Sequence, residues 1–140
     1  MKKLIYLLVI IMGIHLDECL ITGAKIIGPY SFFCSTISKI EFPDSLQKIY
    51  RYAFYECNHL RTIELPAGLQ WIGESAFAEC RGLDTVIVNF HQPISIHKEA
   101  FWCLREGVYK KPIVLVVPSG SKAAFAADPN WKRFPTIIEK

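Results

Sequence analysis

Residues 60–77 read LRTIELPAGLQWIGESAF, and residues 37–54 read ISKIEFPDSLQKIYRYAF. The two stretches coincide after a shift of 23 residues in their apolar positions, their proline and their Ala-Phe pair. The same phase continues at Leu83 and Val86, and a shortened earlier copy begins at Ile27. Repetition at a fixed period of this length is the signature of a solenoid, in which every copy forms one coil.

Each copy contains the elements of one coil. Ile63 and Leu65 alternate with polar residues, which predicts a short strand with one apolar face. Pro66 cannot donate a ladder hydrogen bond and ends that strand. A second short extended segment is predicted around Ile72, and residues 75–80 are predicted to form a helical turn. One coil cannot bury its own apolar face, so about three or more must stack.

Aromatic residues and cysteines recur with the repeat. Phenylalanines are expected to form a spine through the core at Phe32, Phe54, Phe77 and Phe101. Four of the five cysteines recur at intervals of 23 residues, at Cys34, Cys57, Cys80 and Cys103. Equivalent positions of stacked strands lie about 4.8 Å apart with parallel side chains. This favours a ladder of buried, reduced thiols, because free cysteine behaves as a small apolar residue. A disulfide between neighbouring coils and a metal site are the alternatives.

The repeated unit LxxIxLPxxLxxIGxxAFxxC resembles the BspA-like leucine-rich repeat. Residues 114–121, VLVVPSGS, are similar to the closing strand and turn of that family, and residues 122–139 to its closing helix and tail. The resemblance covers residues 26–139. It implies a right-handed leucine-rich-repeat solenoid with short parallel strands on its concave side, helical turns and a C-terminal cap. It also implies a non-enzymatic, secreted or cell-surface module that binds another protein or mediates adhesion.

The N-terminus has the pattern of an export signal. Lys2 and Lys3 precede an uncharged apolar run at residues 4–14, which is too short to span a bilayer comfortably. The alternative is a buried segment of the fold. Residues 1–24 are therefore predicted to be a signal peptide and residues 25–140 the repeat domain, with no stable membrane span in the mature chain. Its repeats are expected at about 26–47, 48–70, 71–93 and 94–118, and its cap at 119–140.

Charge and motifs exclude several classes of function. The formal net charge of +3 is too small to indicate a nucleic-acid partner, and the basic residues form no run. The sequence shows no Ser-His-Asp arrangement, paired carboxylates, phosphate-binding glycine loop or metal-ligand spacing. We expect no catalytic residue, cofactor or metal. Trp131 is expected to pack in the cap, whereas Trp71 and Trp102 are either buried or exposed binding anchors.

The outward side of the main strands is the predicted contact surface. Alignment of the strands gives two outward rows that begin polar and end apolar. One row is Lys39, Thr62, Thr85 and Val114, and the other is Glu41, Glu64, Ile87 and Val116. Exposed apolar patches tend to mark interfaces. The predicted partner is a protein: a host-matrix component, a cell-surface protein or another repeat protein. The alternative is a truncated or cap-like structural fragment of a larger repeat assembly.

Overall fold

The computed structural model describes residues 18–102 and 112–140 of the chain. Short strands recur in each coil and form two rows. The first row contains β1 (Glu18–Leu20), β3 (Lys39–Glu41), β5 (Thr62–Leu65), β7 (Thr85–Val88), β9 (Val114–Val117) and β10 (Thr136–Glu139). The second row contains β2 (Ile26–Ile27), β4 (Lys48–Ile49), β6 (Trp71–Ile72) and β8 (Ser95–Ile96).

The strand pairing confirms the repeat solenoid. In the first row Ile63 pairs with Val86, and Val86 pairs with Leu115. In the second row Ile49 pairs with Ile72. All of these pairs are parallel, because each coil returns to the same side before it begins the next strand. Each 23-residue repeat thus forms one coil, and equivalent residues of successive repeats lie side by side along the solenoid.

The first row is interrupted between β3 and β5. β3 pairs with β1 and lies against β5 without pairing with it. The described strands of this row therefore form two sheets, one of β1 and β3 and one of β5, β7, β9 and β10. Ile40 is buried between the exposed Lys39 and Glu41, so β3 keeps the predicted orientation. The interruption leaves a groove on the outer face of the row.

A stack of phenylalanine rings runs through the core. Phe32, Phe54, Phe77 and Phe101 are all buried. Successive ring centroids lie 5.0, 5.0 and 5.2 Å apart, with the ring planes within 7° of parallel. This spacing follows the separation of neighbouring coils, about 4.8 Å. The predicted spine is therefore confirmed.

The turns are not helical, which corrects the expectation for residues 75–80. The backbone NH of Phe77 donates to the carbonyl oxygen of Ala100 in the next coil at 2.8 Å. Ser75 and Glu79 have left-handed backbones, with φ of 51° and 57°. A helix would direct every amide along its own axis. Here the left-handed residues re-aim the chain, so that amides of the turn also bond the neighbouring coil.

The register of the first coil also differs from expectation. Cys34 has φ of 55° and is equivalent to Glu56 and Glu79, at 56° and 57°, rather than to the other repeating cysteines. Ser35 takes the place of Cys57, and each donates its NH to the carbonyl oxygen of the phenylalanine three residues earlier. The first copy is therefore shortened by one residue after this turn. The interval of 23 residues between Cys34 and Cys57 is a coincidence of spacing.

A cap closes the C-terminal end. It consists of α1 (Lys122–Ala127), a 3-10 helix (Trp131–Arg133) and β10, which pairs with β9. Trp131 is fully buried, and its indole Nε1 donates to the carbonyl oxygen of Ile94 at 2.9 Å. Phe101, the last ring of the spine, packs against Trp131 and Phe134. The predicted role of Trp131 in the cap is confirmed.

The N-terminal part of the described chain belongs to the solenoid. β1 pairs with β3, and Ile21 is buried, with its NH donating to the carbonyl oxygen of Glu41 at 3.3 Å. The predicted signal-peptide residues 1–17 lie outside the described ranges. No helix in the described part of the chain is long and apolar enough to cross a membrane.

Candidate functional site

The outer face of the first strand row carries the predicted contact residues. On β5, β7 and β9, Thr62 is paired with Thr85 and Thr85 with Val114. On the same three strands, Glu64 is paired with Ile87 and Ile87 with Val116. Thr62 and Glu64 are exposed and the other four are half-buried, while the residues between them face the core. The predicted strand register is thus correct. Lys39 and Glu41 are exposed on β3, across the groove.

The apolar end of this face is longer than the sequence indicated. Ile138 of β10 pairs with Val116, and it is 46% exposed. The C-terminal tail therefore extends the sheet sideways instead of covering it. Ile87, Val116 and Ile138 form an apolar patch that reaches the surface.

A polar network borders this patch. The Asn89 side-chain amide donates to Glu64 Oε1 at 2.9 Å. Lys140 Nζ donates to Asn89 Oδ1 at 2.7 Å and lies 3.9 Å from Glu64 Oε1. The network joins side chains from two coils and the cap, and it holds Lys140 beside the sheet. Sequence reasoning did not find it, because Asn89 lies in an irregular segment and Lys140 is distant in the chain.

The groove between β3 and β5 occupies the polar end of the face. It has a volume of about 610 Å³, and its lining includes Lys39, Glu41, Thr62 and Glu64. Lys39 Nζ and Glu41 Oε1 lie 3.0 Å apart, and both side chains are more than half exposed. An exposed ion pair of this kind contributes about 0–1 kcal/mol. Its charges can therefore be turned toward a partner at little cost to the fold.

The cysteines near the core are structural. Cys57 and Cys80 are buried and free, as predicted, but Cys34 is exposed, so the prediction of a buried thiol ladder is wrong at Cys34. Burial raises the pKa of Cys57 to about 12, although a hydrogen bond from the Ser35 backbone opposes the shift. A thiol of this pKa is almost entirely protonated at neutral pH and is a poor nucleophile. Cys34 is exposed, while Cys19 and Cys103 have no described side chain.

Two of the four histidines, His91 and His97, form structural contacts. His97 Nδ1 accepts a hydrogen bond from the backbone NH of Glu99 at 3.2 Å, inside the turn. His91 Nδ1 lies 3.3 Å from Ser121 Oγ. In residues 18–102 and 112–140, no group of three or more His, Cys, Asp or Glu side chains is placed to hold a metal ion.

Aromatic columns on the outside of the turns were missed by the sequence reasoning. Tyr30 stacks on Tyr52 with 5.1 Å between centroids and 7° between planes. Phe33 stacks on Tyr55 at 5.3 Å and 9°. A signal was present, since both pairs keep the 22-residue step that joins Phe32 to Phe54. Trp71 packs edge-on against Tyr50 and is half-buried.

The parallel strand rows, the ring spine and the capped end define a leucine-rich-repeat solenoid. The family model of the BspA type leucine rich repeat region matches residues 25–106 in six copies. The chain belongs to this family.

Among solved structures, the chain is similar to one described as the crystal structure of pneumococcal vaccine antigen PcpA, with 17% identity and a TM-score of 0.40. That similarity covers 90% of this chain and 42% of the antigen, so the chain spans less than half the length of the antigen. Among curated proteins, none matches the chain by sequence.

Proposed function

We propose that the chain is a non-enzymatic binding module, secreted or held at the cell surface, that contacts a partner protein through the outer face of its first strand row. Repeats of this family generally mediate contacts between proteins. The observation that carries the proposal is the apolar row of Ile87, Val116 and Ile138, which lies in one register on this face. Exposed apolar side chains in a contiguous patch are typical of interaction sites.

The two ends of the face supply different contributions. The apolar end provides area that is removed from water on binding, at about 25 cal/mol per Å². The polar end, with Lys39, Glu41 and Glu64 around the groove, supplies charges that orient the partner and reject mismatched ones. The mechanism is surface complementarity, with no bond made or broken.

The size of the face limits its affinity. Five neighbouring strands at about 4.8 Å give a length of about 20 Å. A standard interface needs about 800 Å² from each partner. The partner must therefore also contact the groove or the flanking turns, or several copies must bind together. We expect weak single contacts that are strengthened by multivalency.

A double variant tests the proposal. Ile87→Glu combined with Val116→Lys should abolish binding to purified host-matrix or cell-surface proteins and leave the circular dichroism spectrum unchanged, since both side chains face outward. The matched control is Ile26→Glu, which places a charge at a 53% exposed isoleucine on the second strand row. Equal binding by the double variant and the wild type would remove this face from consideration.

The first coil favours a second candidate, a structural piece of a larger repeat assembly. That coil carries three of the most exposed large apolar side chains of the described residues: Ile26, Tyr30 and Phe33. A further coil from another chain would bury them by continuing the stack. Concentration-dependent assembly in light scattering that Tyr30→Lys suppresses would support this candidate.

A further inference from the structure

The outer aromatic columns stop at the third coil. The positions equivalent to Tyr52 and Tyr55 are held there by Ser75 and Ala78, which are small and buried. In the fourth coil the position after Phe101 is again aromatic, Trp102. The break leaves a notch of about 220 Å³ whose lining includes Tyr52, Tyr55 and Trp102 on its sides.

The notch has room for one flat group. Tyr55 and Trp102 belong to coils two steps apart, so their backbones are separated by about 10 Å. A flat group in contact with a ring on each side needs about 7–8 Å between them. A guest in this position would lie between the two rings, above the buried Ala78.

Carboxylates lie on the rim of the notch. Glu79 and Glu99 both line it. The pKa of Tyr55 is raised by burial first and then by the charges of Glu79 and Glu56, so the aromatic wall lies in a negative field. Arg81 Nη2 lies 3.5 Å from Glu79 Oε2 at this rim. The chain therefore already places one guanidinium beside a carboxylate of the notch.

We propose that this notch binds the guanidinium group of an arginine side chain of a partner protein, flanked by Tyr55 and Trp102 and hydrogen-bonded to Glu99. A guanidinium is flat, stacks on aromatic faces and matches a carboxylate with paired donors. The ammonium group of lysine has the charge but not the plane, and a sugar has the hydroxyls but not the charge. The site is separate from the strand face and does not depend on the function proposed for it.

The test is an NMR titration of the isotope-labelled protein with N-acetyl-arginine amide. The reporters are the Trp102 indole and the backbone amides of Ser75, Ala78 and Glu99. The expected result is a saturable shift of these signals. N-acetyl-citrulline amide, which has the same shape without the charge, and N-acetyl-lysine amide should each bind at least about fivefold more weakly. Glucose should cause no shift.

Three variants complete the test. Glu99→Gln should weaken arginine binding at least about fivefold, because it removes a charge-assisted hydrogen bond. Glu74→Gln changes the net charge equally outside the notch lining and should bind as the wild type does. Ala78→Tyr introduces the ring that the second coil carries at this position and should abolish binding, and its thermal melt shows whether the fold is kept.

Four results would overturn the inference. They are no saturable shift with the arginine probe, equal binding of citrulline, equal weakening by the Glu74 and Glu99 variants, and shifts with glucose in place of arginine. Loss of strand-face binding in the Ile87/Val116 double variant would leave the notch titration unchanged, so the two proposals fail separately.

Discussion

The Cys80 thiol donates a hydrogen bond to the backbone carbonyl oxygen of Phe54, one coil earlier, at 3.0 Å. Cys57 repeats this contact with Phe32, also at 3.0 Å. Each thiol thus joins two coils and fills a small space beside the ring stack. This explains why a cysteine suits the position without forming a disulfide.

Thiol labelling should follow burial. With iodoacetamide at neutral pH, Cys34 is expected to react first, because it is exposed. Cys57 and Cys80 should react slowly until the protein is denatured, since their sulfur atoms lie in the core. Peptide mass spectrometry measures the order. An intact Cys57–Cys80 bridge would contradict the reduced ladder.

Stability should fall at alkaline pH through Cys57. Its pKa is raised from 9.0 to about 12 in the fold, chiefly by burial. Above pH 9 the unfolded chain loses this proton and the folded chain keeps it, so unfolding becomes easier up to about pH 12 at a slope of at most about 1.4 kcal/mol per pH unit. Urea titrations at several pH values measure the decline. Cys57→Ser keeps a donor without this titration, and an undiminished decline in that variant would assign it to other groups.

The ring stack should dominate the stability of the solenoid. Phe77→Ala removes a fully buried ring that contacts rings on both sides, and it should cost about 3–5 kcal/mol. Phe33→Ala is the matched control, because that ring is 43% exposed and should cost far less. Chemical denaturation compares the two. A loss below about 1 kcal/mol for the Phe77 variant would show that the spine is not the core.

The start of the folded domain can be located by truncation. A chain of residues 18–140 retains β1, whereas residues 25–140 lose that strand and the buried Ile21, and uncover β3. The shorter chain should be less stable by about 1–3 kcal/mol, the value of one buried aliphatic side chain. Equal stability would favour signal cleavage at Lys25. N-terminal sequencing from the native host then gives the cleavage point.

The sequence predicted those features that repeat. The repeat positions of Ile63, Val86 and the phenylalanines determine which residues face the core, because most coils pack between two similar neighbouring coils. The prediction from the repeat fails in those coils whose surroundings differ from the rest. The predicted equivalence of Cys34 with the other cysteines is wrong because the first coil is one residue shorter. The predicted helical turn is wrong because an i, i+3 pattern does not reveal left-handed backbone conformations such as that of Ser75.

The candidate sites were less predictable. The two outward rows followed from strand alternation, but the extension by Ile138 depends on the path of the tail. The network of Glu64, Asn89 and Lys140 joins residues with no common period. To predict the notch beside Ala78, one must first know that aromatic side chains stack in columns on the outside of the turns and that a small residue interrupts a column.

A methyl NMR titration with the host-matrix or cell-surface protein that the wild-type chain binds tests most directly whether the outer strand face is the contact surface. If the partner binds this face, the methyl signals of Ile87, Val116 and Ile138 should shift or broaden together, while those of Ile26 on the second strand row stay unchanged. Shifts confined to Ile26, with the three outward residues unaffected, would contradict it.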